Sequence, residues 1–224
     1  MNEKRSIFTE AVHGGERAAR PDFTPVSTPI HHSVGYLYDD MADLDAVFGG
    51  QQAGYVYTRY GSPTVTAFER AVAGVEGAED AVAFASGMAA VHAALLGAGV
   101  RAGTTVVSAA DVYGATYALL ERSLSTLGVK TCFVDITDLE EVRQAVGGEE
   151  PVAVLCETIS NPLVKVADVP TLVEIAHGAG AALIVDNTFA TPYLYRPLDH
   201  GADYVVHSAT KYIGGHGTTI AGVI

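Results

Sequence analysis

From Pro63 onward the chain alternates short, wholly apolar segments with stretches of helical spacing, and this restricts the possible folds more than any other feature. Helices are predicted over Thr64–Val75, Gly87–Leu96, Tyr113–Leu127, Leu139–Ala145 and Thr171–His177. Between them fall predicted strands at Ala81–Phe84, Thr105–Val107, Thr131–Val134, Val152–Cys156, Ala182–Val185 and Tyr204–His207, with another beginning in Thr219–Ile224. Strands that are apolar along their whole length have both faces covered, and helices between them carry the chain back for parallel pairing. The expected fold is α/β, a mostly parallel sheet sandwiched by helices. Residues 1–62 differ: they are rich in Pro, Gly, His and Tyr, with one possible short helix around Asp40–Phe48. So much irregular chain in a compact domain suggests a segment that wraps something. It is expected to be an N-terminal arm packed on a partner subunit, with the rest, 63–224, forming one ligand-binding domain.

Ligands of parallel α/β sheets bind at the carboxyl ends of the strands. The residues just past each predicted strand are Ser86-Gly87-Met88, Asp111-Val112-Tyr113-Gly114, Glu157 with Asn161-Pro162, Asp186-Asn187-Thr188, and Ser208-Ala209-Thr210-Lys211. Hydroxyls, an aromatic ring, carboxylates, an amide and one lysine thus converge on one edge. Of the four lysines, Lys4, Lys130, Lys165 and Lys211, only Lys211 follows an apolar strand among small hydroxyl residues. Partial desolvation there would make its amine a usable nucleophile and base. Asp186 alone reads as a turn or helix cap, but together with Lys211 it can serve as a carboxylate opposite a heteroaromatic nitrogen. Ser86-Gly87-Met88 opens a helix whose N–H groups can hold a phosphate, or it is merely capped. Ser208 and Thr210, two apart on an extended segment, would present hydroxyls to the same side. Tyr113 could stack on a flat ring. Arg59, in Tyr57-Thr58-Arg59-Tyr60, is either solvated or a phosphate clamp reaching into a neighbouring subunit.

The 224 residues are 49% hydrophobic and 17% charged, enough for a sizeable core, and 13 basic against 26 acidic residues give a formal charge of −13. That charge argues against nucleic acid, and any phosphate must be held by local donors. The apolar stretch Ala81–Val100 contains Ser86-Gly87 and His92, and it divides into a strand, a tight turn and a helix rather than a membrane span. No apolar signal core follows the N-terminus, and Cys132 and Cys156 lie in strand-like runs, so both are expected as core thiols of a soluble, cytoplasmic protein. The histidines offer no closed ligand set, so no metal is expected, and no glycine-rich dinucleotide or Walker loop follows a strand.

Tyr57-Thr58-Arg59-Tyr60-Gly61-Ser62-Pro63-Thr64, Ala85-Ser86-Gly87-Met88-Ala89-Ala90, Tyr113-Gly114, Glu157-Thr158-Ile159-Ser160-Asn161-Pro162, Val185–Tyr193 and Val206–Tyr212 together resemble the Cys/Met-metabolism (trans-sulfuration) enzymes dependent on pyridoxal 5'-phosphate (PLP). The resemblance implies PLP fold type I, the aspartate-aminotransferase-like fold. It also implies that Lys211 carries the cofactor as a Schiff base and shuttles protons, that Asp186 pairs with its ring nitrogen, and that Asn161 lies near its phenolic oxygen. Ser86, Gly87, Met88, Ser208 and Thr210 would hold the phosphate, and Tyr113 would stack on the ring and assist proton transfer. Tyr57 and Arg59 would reach the neighbouring subunit's phosphate in a homodimer or homotetramer acting on an amino acid.

Within that family, Asn161–Val166 is more like the γ-lyases and γ-synthases, whereas Gly214–Thr218 is more like the O-acetylhomoserine sulfhydrylases. Ala115 stands where methionine γ-lyases usually place a cysteine. The expectation is γ-elimination or γ-replacement of the cystathionine γ-synthase/γ-lyase type, with O-acetylhomoserine sulfhydrylase as the alternative. Family members continue into a domain whose arginine binds the substrate carboxylate. The apolar end at Ile224 therefore suggests a truncated chain, leaving open an inactive fragment that only binds PLP.

Overall fold

The computed structural model describes residues 25–224. Five parallel strands form the central sheet: β2 (Thr105–Ala109), β3 (Lys130–Val134), β4 (Ala153–Glu157), β5 (Ala182–Asp186) and β6 (Tyr204–Val206), in the order β3-β2-β4-β5-β6. β1 (Ala83–Phe84) and β7 (Gly222–Val223) pair antiparallel, and Val223 also bridges His207 at the end of β6, so this two-stranded pair extends the sheet's far edge. The end predicted as a strand over Thr219–Ile224 is thus only two residues of ladder.

Successive strand residues point to opposite faces, and both faces are apolar. On one, Val107, Val154, Cys156, Leu183, Val185 and Val205 pack under α5 (Leu139–Glu149) and α6 (Val169–Gly178). On the other, Val106, Ala153, Leu155, Ile184 and Val206 pack under Ala90, Val91, Ala94 and Leu95 of α3 (Gly87–Gly97). The caps are local: the Asp138 carboxylate accepts from Glu140 and Glu141 N–H, and the Asp168 carboxylate from Thr171 N–H. α2 (Pro63–Glu76) starts with Pro at its first position and ends at Gly77, whose φ of 75° favours glycine. The helix predicted over Tyr113–Leu127 is a short α4 (Gly114–Ala118) widening into a π turn over Leu119–Leu124, which keeps Thr116, Leu120 and Leu124 buried.

α1 (Met41–Phe48), capped by Asp40, matches the short helix expected there and buries no residue. From 25 to 61 no residue is buried, and Ser62 is the first that is; the part of the expected arm over 1–24 lies outside the described residues. Cys156 is buried, and its thiol is pushed up to about 12 by that burial. Cys132 departs from the expectation: it is only partly covered, because β3 is an edge strand. No helix among the described residues is long and apolar enough to cross a membrane.

Candidate active site

β2 lies between β3, which follows it in sequence, and β4, so connections leave in opposite directions and open a crevice beyond the strand ends. A cavity of about 630 Å³ occupies this edge, and Ser86, Gly87, Met88, Tyr113, Asn161, Asp186, Ser208, Thr210 and Lys211 all line it. Tyr57 and Arg59 do not. The Arg59 guanidinium lies 5.1 Å from the Tyr57 ring centre and 5.3 Å from that of Tyr60, and all three residues are exposed.

One wall is the N-terminus of α3. The Ser86 hydroxyl accepts from Ala89 N–H at 3.2 Å and its carbonyl from Ala90 N–H at 3.1 Å. The N–H groups of Gly87 and Met88 then have no acceptor among the described residues, which is the arrangement that holds an anion. Gly87 has to be glycine, because a Cβ there would lie 2.7 Å from Cβ of Ser208. Ser208 is fixed in turn by Thr188, whose hydroxyl accepts from Ser208 N–H at 2.8 Å. Thr210 differs from its expected use. The segment turns after β6 instead of staying extended, and the Thr210 hydroxyl donates to Ala221 O at 3.1 Å and accepts from Ala221 N–H at 3.0 Å.

The opposite wall is acidic. Asp186 ends β5 and accepts from Thr188 N–H at 3.0 Å. Burial pushes its carboxyl up, while the Thr188 bonds and the nearby His207 pull it down. A carboxylate so placed gains from a cationic N–H partner. Glu157 ends β4, paired in register with Asp186, and is 8% exposed. Burial pushes it up to about 7 from its usual 4.5, against hydrogen bonds from Tyr113 and Asn161 N–H, with Asp186 and Asp111 pushing it further.

A folded-state value above the unfolded one means the ionised carboxyl weighs against the fold. Stability is therefore fully present below pH 4.5 and is lost as pH rises to about 7. The expected loss is about 3 kcal/mol, measured by urea unfolding of the PLP-free chain across that window, with the slope flattened in Glu157→Gln.

Lys211 completes the set. Lys130 is paired with Glu149 at 2.6 Å and Lys165 with Asp135 at 2.8 Å, whereas Lys211 joins no ion pair among the described residues. Lys211 is also exposed, so the desolvation expected of it is not provided by the described residues. Glu157, Thr188, Phe189 and Tyr212 line the cavity without having been singled out as site residues. For Glu157 a signal existed: a carboxylate directly after an unbroken apolar strand, the pattern that also exposes Asp186.

An anion cradle, an acidic wall and one amine around a slot this wide fit a flat, phosphate-bearing aldehyde with a basic ring nitrogen. The comparisons agree. The chain is 40% identical over 223 residues to an L-methionine gamma-lyase of Fusobacterium nucleatum, covering 99% of this chain and 55% of that protein. It is 41% identical to an O-acetyl-L-homoserine sulfhydrylase of Leptospira meyeri, over 96% of this chain and 48% of that protein. It is likewise 41% identical to a cystathionine beta-lyase of Lactococcus lactis, over 98% and 54%. The crystal structure of a cystathionine gamma synthase from Xanthomonas oryzae, in complex with aminoacrylate and cysteine, superposes with a TM-score of 0.78 at 35% identity, over 87% of this chain and 48% of that one. The chain spans about half the length of the curated relatives it matches. These relatives differ in the reactions they are named for, and residues 8–224 match the family described as Cys/Met metabolism PLP-dependent enzyme, to which this chain belongs.

Proposed function

We propose that this chain is the cofactor-binding portion of a carbon–sulfur lyase or transferase that carries out γ-elimination or γ-replacement on a sulfur amino acid or its activated precursor. The observation that carries this is the convergence of Lys211, Asp186, Tyr113 and the N-terminus of α3 on one cavity. PLP, when bound, withdraws electrons from the substrate's Cα and then Cβ, so that a group on Cγ can leave. The residues divide that work. Gly87 and Met88 N–H, with the Ser86 and Ser208 hydroxyls, hold the phosphate. Thr210 contributes to that subsite by fixing the turn through Ala221 rather than with a free hydroxyl. The Asp186 carboxylate would keep a ring nitrogen protonated, and Asn161 would serve the phenolic side of the cofactor. Tyr113, 49% exposed and lining the cavity, would offer its ring for stacking on the cofactor. Lys211 Nζ holds the cofactor covalently and moves protons at Cα and Cβ.

The cavity needs more cation than the described residues of one chain bring to it. Among the described residues Lys211 is its single basic side chain beside carboxylates, and a phosphate there calls for a guanidinium. Arg59, exposed and stacked between two tyrosines, is the candidate from a second copy, so the arm would complete a shared site in a homodimer or homotetramer. Arg59→Ala should weaken PLP retention by about tenfold with little change in stability, measured by fluorescence titration. Such an assembly, with two free thiols, suits a cytoplasmic setting.

The finer reading is the cystathionine γ-synthase/γ-lyase type. The second is an O-acetylhomoserine sulfhydrylase, favoured by Gly215 and Gly217, which belong to the sulfhydrylase-like segment and line the cavity. The test is the absorbance spectrum of the purified chain with PLP, followed by O-acetyl-homoserine, cystathionine and methionine in turn. A long-wavelength band that shifts with cystathionine supports the first reading, as does a shift with O-acetyl-homoserine when added cysteine is then converted to cystathionine. A shift with O-acetyl-homoserine that yields homocysteine with sulfide but no cystathionine with cysteine supports the second. Pyruvate released from cystathionine would instead indicate β-elimination. A band indifferent to all three would mean that substrate binding needs residues beyond these, and no band would overturn the proposal.

A further inference from the structure

We propose that Glu157 is the positioning residue of this site, its single carboxylate holding Tyr113 and Asn161 at a fixed separation across the cavity. Oε1 accepts from Tyr113 N–H at 2.6 Å and Oε2 from Asn161 N–H at 3.0 Å. Tyr113 is carried by the segment after β2 and Asn161 by the segment after β4, neighbouring strands whose diverging connections open the crevice. Each oxygen therefore serves a different loop, and the two loops that would flank the cofactor are pinned to one buried group. An ionised carboxylate is the side chain that offers two equivalent acceptors at this spacing; a glutamine offers one and turns its NH₂ against the other amide.

The inference rests on the reading that Tyr113 and Asn161 face PLP, but the strap itself can be tested without the cofactor. The charged groups around Glu157 are Asp186 from β5 and Asp111 from the segment after β2, with Cys156 beside it on its own strand and Lys211 across the same cavity. None of them sits between Glu157 and the two amides it binds. Protonation turns one oxygen into a donor, so one loop is released as pH falls through the point where Glu157 titrates. Because the two bonds share a single carboxylate, both amides must sense that event together, although they lie 48 positions apart in sequence.

The experiment is an amide-proton NMR titration of the labelled full chain, with and without PLP, from pH 8 to pH 6. The expected result is that Tyr113 and Asn161 N–H shift together with one shared midpoint near 7. In Glu157→Gln that common titration should vanish, and PLP should be held about tenfold more weakly, as is usual when a supporting residue is lost. Glu157→Asp, one methylene shorter, should keep one of the two amide shifts and recover part of the affinity. Amides that titrate at separate midpoints, or that still shift together in Glu157→Gln, would overturn the strap. Unchanged PLP affinity in Glu157→Gln would overturn its positioning role. A parent chain that binds no PLP would overturn the cofactor reading of the cavity, and the amide titration would still decide the strap.

Discussion

Lys211→Ala should abolish covalent retention of PLP while leaving the unfolding free energy within about 0.5 kcal/mol of the parent, as is usual for an exposed side chain. The reason is local. The Lys211 side chain is exposed on the cavity rim, while its backbone is held separately, N–H to Ser208 O at 3.0 Å and carbonyl from Gly215 N–H at 2.8 Å. Removing the amine leaves that turn intact. Nor can another described lysine substitute, since Lys130 and Lys165 are engaged by Glu149 and Asp135 and do not line the cavity. Borohydride reduction followed by peptide mass spectrometry should find a pyridoxyl group on the Lys211 peptide of the parent and none in the variant. Lys211→Arg, which keeps the charge but lacks a primary amine, should behave like the alanine variant. An adduct persisting in either would remove Lys211 from its proposed role. Asp186→Ala should instead retain the adduct and lose turnover.

Gly222→Ala is expected to cost more than about 3 kcal/mol, the upper range for overpacked sites. A Cβ at Gly222 would lie 2.8 Å from the Gly87 nitrogen and closer still to the Ser86 carbonyl, all of it backbone. No rotamer change relieves that. β7 would have to move away from α3, and it is held in place by the Phe84–Gly222 and Ala83–Val223 pairs and by reciprocal bonds between Val223 and His207 at 2.9 and 3.0 Å. For a chain of this size the melting temperature should fall by about 10 °C, and PLP affinity should fall with it, because the same shift displaces the Gly87 N–H. Gly74→Ala supplies the contrast: it lies inside α2 with nothing within 4 Å of its Cβ position, so it should stabilise by about 1 kcal/mol. A Gly222→Ala chain that melts with the parent would show that β7 is not pressed against α3 in solution.

The sheet was legible because its strands are apolar on both faces, and nine of the eleven expected site residues could be located simply by their position just past a strand end. The 191–200 segment was not legible. A four-residue helix at Thr191–Leu194 and a 3-10 turn at Pro197–His200 are too short to show a period, and each carries a proline in its first turn. Thr210 illustrates a different limit: its place in the site was readable, but not that Ala221, eleven positions later, would occupy its hydroxyl. Glu157 shows the same, since the strand-end pattern marks the carboxylate but not the two amides that close on it. Tyr57 and Arg59 stand apart: both are exposed in the segment before α2, and neither lines the cavity of the described residues.

β1 and β7 meet across most of the described chain: Ala83 and Val223, 140 positions apart, are partners, and Gly222 backs the peptide that opens α3. During synthesis the N-terminal side of this contact emerges long before the other. Until Val223 has left the ribosome, the end of α3 that faces the cavity has no strand behind it, and closure is slow, as is typical of distant pairings. Capture of the cofactor at this end of α3 is then expected to follow the pairing of β1 with β7 rather than to seed it.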